Sequence, residues 1–462
     1  MNHEMESLST AVKQLRATIA RAAAIVALLS LSGTPMHGQD ASLRPNIVLI
    51  MTDDAGYGDL GSYGAPDIKT PNIDSLAAAG VKMTQFYANG STCTPTRAAL
   101  ITGRYQQRVT LERPLSHATT PDGRLGLPAT GQSLPQLLKN GGYATGLIGK
   151  WHLGYLPHFS PTAHGFDTFF GFKAGYIDYY QHTDAAGQPD LFENDTPVRV
   201  DGYMTDLITD RAVSFIDAHA RRPFFVEVAY SAPHWPYQIP DQPSTARNNS
   251  VHILPSDDNP NTRADYVKMM ERVDRGVGAI LAALDRHRLG PNTLVIFTND
   301  NGGEWLSRNA PLFNRKFTLY EGGIRVPAIL RFPGRLPANV TSAQVGITMD
   351  LTATILAAAG VPAPAGTRFE GIDLIPVLTA RQVTPRTLFW RVNTAGLNQR
   401  AVRDGNWKLF VEGPRMMLVD VVNDPAERDD VAATHTAIVR KLQQQLAAWE
   451  KDVDAEAKAL VR

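Results

Sequence analysis

Asp53 and Asp54 end an apolar run, Ile47 to Met51, and Asp300 and Asn301 follow a second, "NTLVIFT". Three carboxylates and an amide are all oxygen donors. That set suits a hard divalent cation, calcium or magnesium, better than zinc, which prefers nitrogen and sulfur. Without a cation it would crowd like charges together, which is costly. Cys93, the only cysteine in 462 residues, stands in "GSTCTPTRAALITGRY" just ahead of Pro95 and Arg97. A helix opening there offers free backbone N–H groups and the positive end of its dipole to an anion. Arg97 adds a planar fork for oxyanion oxygens, and Lys150 and Lys316 add positive charge. His152 and His234 titrate near neutrality and are suited to moving protons. Each residue alone has a plainer reading: Asp and Asn are common in turns, and an isolated Cys is a small buried hydrophobe. Brought together, they describe a hydrolase of a tetrahedral oxyanion ester built on a divalent metal. The residues alone do not separate sulfate from phosphate, and a thiolate on a hard cation is a poor match.

Convergence needs a scaffold, and the pattern around these residues supplies one. "RPNIVLIMTDDAGYGDLG", "GYATGLIGKWHLG", "PFFVEVAYSAPHWP" and "NTLVIFTNDNGGE" are apolar runs that each end in acids, bases or amides. Such runs predict strands buried on both faces. Between them, "TPNIDSLAAAG", "YMTDLITDRAVSFIDAH" and "ADYVKMMERVDRGVGAILAALDRH" predict helices. Strands alternating with helices imply an α/β fold, a large and mainly parallel sheet covered on both faces. Ligands of such sheets bind beyond the carboxyl ends of the strands, where all four runs deliver their polar residues. From 384 onward the pattern changes. "RTLFWRV", "RAVRDGNWKLFVEG" and "RMMLVDVVNDP" predict short antiparallel strands, and "ERDDVAATHTAIVRKLQQQLAAWEKDVDAEA" predicts a closing helix. The expected organisation is a catalytic domain over 44–383 and a smaller sheet-plus-helix subdomain over 384–462. Pro240 to Thr262 is expected to be a long surface loop.

Lys+Arg and Asp+Glu balance at 45 each, which gives no footprint for a nucleic-acid partner. Lys13, Arg16 and Arg21 precede "AAAIVALLSLSG" and a small, polar exit through Gly38. That pattern reads as a signal peptide over 1–38, too short for a membrane span, and predicts export to the periplasm or the medium. One cysteine cannot form a disulfide within an exported chain.

With these motifs in place, the sequence resembles the type I sulfatases of the alkaline phosphatase superfamily over nearly everything after the leader. "CTPTRAALITGR" matches the family's C-x-P-x-R signature. "PNIVLIMTDDAGYGDLG", "GKWHLG", "APHWP", "TNDNG" and "KFTLYEGGIRVP" match its metal, lysine and histidine elements. The resemblance implies an alkaline phosphatase-like sheet and a calcium ion, magnesium being accepted by the same ligand types. It implies metal ligation by Asp53, Asp54, Asp300, Asn301 and residue 93. It also implies that a maturation enzyme converts Cys93 into formylglycine, whose hydrated aldehyde is the nucleophile; an oxygen there removes the hard–soft mismatch. By the same resemblance Arg97, Lys150 and Lys316 stabilise the oxyanion. His234 with Lys316 protonates the leaving alcohol, and His152 takes a proton from the second hydroxyl as sulfate leaves. One departure stands out: the family often flanks this lysine with glycine, whereas Phe313, Asn314, Arg315 and Phe317 surround Lys316, so Arg315 is an alternative anion ligand.

Two rival functions remain at this level: a phosphodiesterase or phosphonate monoester hydrolase of the same superfamily, and an inactive binding protein with Cys93 unmodified. The expected substrate is a sulfated glycan or small ester, with aryl sulfates as surrogates. Trp235, Trp305 and Arg308 are expected at the pocket rim. Tyr176, Asp178 and His182, from the aromatic stretch "GFDTFFGFKAGYIDYYQHTD", are candidates for sugar contacts.

Overall fold

The computed structural model describes residues 44–115, 125–242, 261–394 and 396–460. The leader read over 1–38 and most of the loop read over 240–262 lie outside them. Pro45–Arg462 forms one compact unit. Its strands are β1 (Asn46–Thr52), β2 (Val81–Tyr87), β3 (Ala144–Lys150), β4 (Thr168–Phe172), β5 (Phe192–Glu193), β6 (Thr196–Pro197), β7 (Phe224–Ala229), β8 (Thr293–Asn299), β9 (Arg325–Arg331) and β10 (Val340–Ile347). Among the described residues they build one sheet in the order β10-β2-β9-β8-β1-β7-β3-β4-β5-β6. β8, β1, β7, β3 and β4 run parallel. β9 is antiparallel to both β8 and β2, which makes the sheet mixed.

The central strands are apolar because both of their faces are covered. In β1, Ile47, Leu49 and Met51 point into one core, against Ala98, Leu100 and Ile101 of helix Cys93–Thr102 and Leu351 and Ile355 of helix Thr348–Ala359. Val48 and Ile50 point into the other, against Ile208 and Phe215 of helix Met204–His219 and Met269 and Val273 of helix Arg263–Arg286. Each buried aliphatic side chain contributes roughly 1.5–3 kcal/mol to holding the strand in place.

β11 (Thr387–Thr394), β12 (Leu397–Asp404), β13 (Trp407–Glu412) and β14 (Arg415–Asp420) form the expected antiparallel sheet. The closing helix spans Thr436–Leu460, so it starts later than the sequence predicts, and Glu427 to His435 is not helical. Two local devices hold that stretch in turns. Glu427 takes a left-handed φ of 52°, and Asp424 Oδ2 accepts the Arg428 and Asp429 N–H groups at 2.7 and 2.9 Å. Among the described residues no helix is long and apolar enough to cross a membrane.

The small sheet meets the large one through buried charge. Lys408 Nζ lies 3.0 Å from Glu321 Oε1 and 3.0 Å from Glu427 Oε1. Glu427 Oε2 accepts the Glu321 N–H at 2.6 Å, and Tyr87 donates to Glu321 Oε2 at 2.6 Å. Removing the lysine takes the cation from the buried Glu427 carboxylate and leaves Glu321 with Arg325 at 3.4 Å. Lys408→Met is therefore expected to destabilise the fold by about 3–5 kcal/mol, read as a lower urea midpoint. Adding Glu427→Gln should return part of the loss, and an unmoved midpoint in Lys408→Met would show the network to be dispensable.

Candidate active site

The four parallel strands β8, β1, β7 and β3 are neighbours, so their carboxyl ends deliver the site residues to one place. Asp53 and Asp54 follow β1, Lys150 ends β3, His234 lies five residues past β7, and Asp300 and Asn301 follow β8. Cys93 opens the helix that runs to Thr102, with Gly103 closing it in the left-handed region at φ 64°. Together with Arg97, His152 and Lys316, all ten are buried, none more than 4% exposed.

Asp54 and His152 have left-handed backbones, φ 65° and 57°, uncommon for residues with a side chain and concentrated at functional sites. Asn299 holds the turn that carries both aspartates. Its Oδ1 accepts from Thr52 Oγ1 at 2.8 Å and from Ala55 N at 3.2 Å, and its Nδ2 donates to Ala55 O at 2.9 Å. Gly175 gives His152 its room, since a Cβ there would come within 2.7 Å of the ring.

Cys93 Sγ lies 3.6 Å from Asp53 Oδ1, and Asp53 Oδ2 accepts from Lys150 Nζ. Asp54 Oδ2 pairs with Lys316 Nζ at 2.7 Å and lies 3.4 Å from His234 Nε2. Asn301 Nδ2 donates to Asp54 Oδ1 at 2.7 Å. Arg97 does not point its fork into open space. Nε and Nη2 donate to Asp300 Oδ2 at 3.2 and 2.9 Å, and Nη1 donates to Lys150 O at 3.2 Å. It thus fixes a carboxylate and the chain that carries Lys150.

Burial, then Asp300 and Asp54, push the Asp53 carboxyl up to about 8, against Lys150 and Arg97. Burial works the same way on Asp54, but the Lys316 ammonium overcomes it and holds that carboxyl well below the usual range. Burial pushes the Cys93 thiol far up, despite Lys150 and Lys316. It also holds His152 and His234 well below their ordinary values, so both imidazoles are neutral at working pH. Their tautomers follow from their partners. His152 Nε2 faces Leu115 O at 2.7 Å and must donate, which leaves the partnerless Nδ1 as its basic atom. His234 Nδ1 donates to Trp235 O, which leaves Nε2 to accept from Lys316 Nζ at 3.3 Å.

The site gathers donors for a cation, with Asp300 Oδ2 turned to Arg97. Asp53, Asp54, Cys93 and His234 bring ligand atoms within 4.8 Å of one another. Asn301 Oδ1 is buried with no partner, the state of an oxygen that a cation would take. The crowded carboxylates that raise Asp53 are what a divalent charge would relieve.

The rim residues divide. Tyr176 stacks on His234, centroids 5.9 Å apart and rings 10° from parallel, and touches Trp235 at 4.1 Å. Trp305 lies beneath the Arg315 guanidinium at 3.9 Å. Arg308 is exposed, and its backbone N–H is tied to Asp59. Asp178 and His182 are buried, and their hydrogen bonds run within their own neighbourhood. Asp178 accepts from Tyr180 N, Gln181 N and Gln238 Nε2, and His182 Nε2 faces Gly202 O. These bonds shape the loop that carries them. The sequence pattern does not single out Asn299, which lies between the apolar run and Asp300, or Glu304. The Glu304 carboxylate lies 3.6 Å from Lys316 Nζ, and burial raises it to about 7. The repeated amide in "NDN" was the available clue to Asn299.

A family model described as Sulfatase matches residues 45–361, and one described as N-sulphoglucosamine sulphohydrolase, C-terminal, matches 309–452. The chain is 36% identical over 389 residues to an N-acetylgalactosamine-6-sulfatase of Canis lupus familiaris, covering 79% of this chain and 71% of that one. It is 33% identical over 437 residues to arylsulfatase A of Bos taurus, covering 87% and 81%. The crystal structure of Ps i-CgsB superposes with a TM-score of 0.79 at 32% identity, over 88% of this chain and 92% of that one. The same protein in complex with k-i-k-neocarrahexaose gives 0.79 at 31%, over the same shares. Matched over more than half its length by the family model, with the cysteine, lysines, histidines and acids drawn to one sheet edge, the chain belongs to the type I sulfatases of the alkaline phosphatase superfamily and is a sulfuric ester hydrolase.

Proposed function

We propose that this sulfatase removes sulfate from a carbohydrate. In this reading Cys93 is converted by a maturation enzyme to formylglycine, and Asp53, Asp54, Asp300 and Asn301 hold a calcium ion beside it. One observation carries the reading: Cys93 is sealed 3.6 Å from an aspartate oxygen in a cluster of carboxylates and cations, with its thiol far from ionising. A thiol so placed is a poor nucleophile, whereas an oxygen at the same position suits both the acids and the cation. A hard divalent cation there would lower the pKa of the oxygen it binds and offset developing negative charge. Lys150 and Lys316 present ammonium groups to the sulfuryl oxygens. His152 Nδ1 accepts the proton from the oxygen on residue 93, and the Lys316–His234 pair supplies one to the leaving alcohol. Arg97 keeps Asp300 and Lys150 in register.

The sugar is supported by the relatives: one is an N-acetylgalactosamine-6-sulfatase, and a solved neighbour carries a neocarrahexaose. Export, to the periplasm or the medium, rests on the basic and apolar pattern of 1–38. Every group assigned to the chemistry falls within 44–383, which supports that span as the catalytic domain and 384–462 as a covering subdomain.

The sulfate reading predicts a far higher kcat/KM for 4-nitrophenyl sulfate than for the matching phosphate diester; the reverse preference would install the phosphodiesterase in its place. EDTA-treated protein is expected to lose nearly all turnover and to regain it with added Ca2+. Full activity in chelator would remove the metal from the reading, and recovery with Mg2+ alone would change the ion.

A further inference from the structure

A cavity of about 700 Å³ opens beside the site, lined by Glu304, Trp305, Phe313, Asn314, Arg315 and Arg428 among others. It adjoins the chemistry through the chain itself, because Arg315 precedes Lys316 and Glu304 lies 3.6 Å from Lys316 Nζ. Cavities of roughly 300–1,000 Å³ accept small organic ligands, and this one has room for a sugar beyond the one that carries the ester.

Its walls are chemically particular. Arg315 is half-buried and lies flat over Trp305 at 3.9 Å, which holds its fork in place. Arg428 is exposed and comes from the turn that replaces the start of the closing helix. Among the described residues neither guanidinium has a carboxylate at ion-pairing distance. The acid in the wall, Glu304, faces Lys316 Nζ at 3.6 Å. Phe313, 49% exposed, offers a ring face suited to the apolar face of a sugar. Two guanidiniums in the lining of one cavity offer a planar or tetrahedral oxyanion paired, charge-assisted hydrogen bonds.

We propose that this cavity is a subsite for a second anionic group, a carboxylate or a further sulfate, on the sugar adjacent to the one being desulfated. The proposal rests on the carbohydrate sulfatase reading and specifies its substrate as a polyanionic glycan. It also explains why Lys316 is flanked by bulky and charged residues: the same loop supplies the catalytic cation and the subsite wall.

The test uses three sulfated disaccharides that differ only in the neighbouring sugar: one with a uronate, one with that carboxyl reduced to an alcohol, and one with a second sulfate. The wild-type enzyme is expected to prefer at least one charged substrate over the reduced one by about 10–100-fold in kcat/KM, chiefly through KM. Arg315→Gln and Arg428→Gln should each pull that ratio toward one. Because the readout is a ratio, a partly folded variant does not distort it. Whichever charged arm is preferred identifies the anion. Equal rates on all three substrates, or a ratio that survives both substitutions, would overturn the subsite. Turnover of 4-nitrophenyl sulfate with none on any disaccharide would instead defeat the carbohydrate reading, and the subsite with it.

Discussion

With Cys93 replaced by alanine, kcat/KM for 4-nitrophenyl sulfate is expected to fall by about 10⁴-fold or more, toward what binding and electrostatics alone supply. The size of the effect follows from where the side chain sits. Cys93 is 2% exposed at the first turn of its helix, within reach of Asp53 and surrounded by Lys150, Lys316 and Arg97. Burial raises the thiol pKa so far that no thiolate forms at neutral pH, and sulfur is a poor partner for a hard cation. A cysteine that stayed a cysteine would thus be the weakest element of an otherwise well-equipped site. Alanine loses only the sulfur in a helix whose other residues are unchanged, so its thermal midpoint should stay near wild type. Cys93→Ser separates an oxygen from an aldehyde-derived oxygen. Serine has one hydroxyl, which can accept a sulfuryl group but has no second hydroxyl to expel it, so at most one equivalent of alcohol should be released before turnover stops. In active wild-type protein the peptide carrying residue 93 should have lost sulfur and gained a carbonyl oxygen by mass. An unmodified thiol in fully active enzyme would falsify the formylglycine assignment.

Some of this site could be read before the fold was seen, and the reason is physical. β1, β3, β7 and β8 are buried on both faces, so their sequences are unbroken apolar runs, and each run stops where the chain reaches the polar edge. Charge at the end of such a run has few places to be except the ligand side of the sheet. The other half of the sheet carries no such mark. β9 contains Pro327, and β10 exposes alternate residues in its first half. β2 includes Gln85, buried because Arg403 of the small sheet donates to it. Partners that far apart in sequence leave no local pattern. Asp178 and His182 show the opposite ambiguity. They stand in an aromatic stretch that resembles a binding cleft, but their groups satisfy the backbone of their own loop and Gln238. Short-range composition does not distinguish a loop that binds a ligand from one that binds itself. The closing helix starts later than its composition predicts: Glu427 is held in the buried pair with Lys408, and Asp424 takes the Arg428 and Asp429 N–H groups.

Lys316→Met should slow hydrolysis of a sugar sulfate by about 10²–10⁴-fold, the span that a positioned general acid contributes, and slow 4-nitrophenyl sulfate much less. Lys316 is the acid end of a short chain. Burial would lower its pKa, but Asp54 and neighbouring groups outweigh that and keep the ammonium charged. It lies 3.3 Å from the lone pair of His234 Nε2, whose other nitrogen is locked on Trp235 O. A proton leaving Lys316 toward the alcohol therefore has a neutral imidazole beside it and no competing acid on that ring. A sugar alkoxide is a strong base and needs that proton as the S–O bond breaks, whereas nitrophenolate leaves well without it. The substitution also strands Asp54, which loses its 2.7 Å partner, so some loss is expected on both substrates. Lys316→Arg isolates the chemistry, because arginine restores the positive charge beside Asp54 but does not release a proton in this pH range. It should recover aryl sulfate turnover and leave sugar sulfate turnover depressed. Equal losses on both substrates in Lys316→Met, with equal recovery in Lys316→Arg, would reduce Lys316 to an electrostatic role and move the proton to His234.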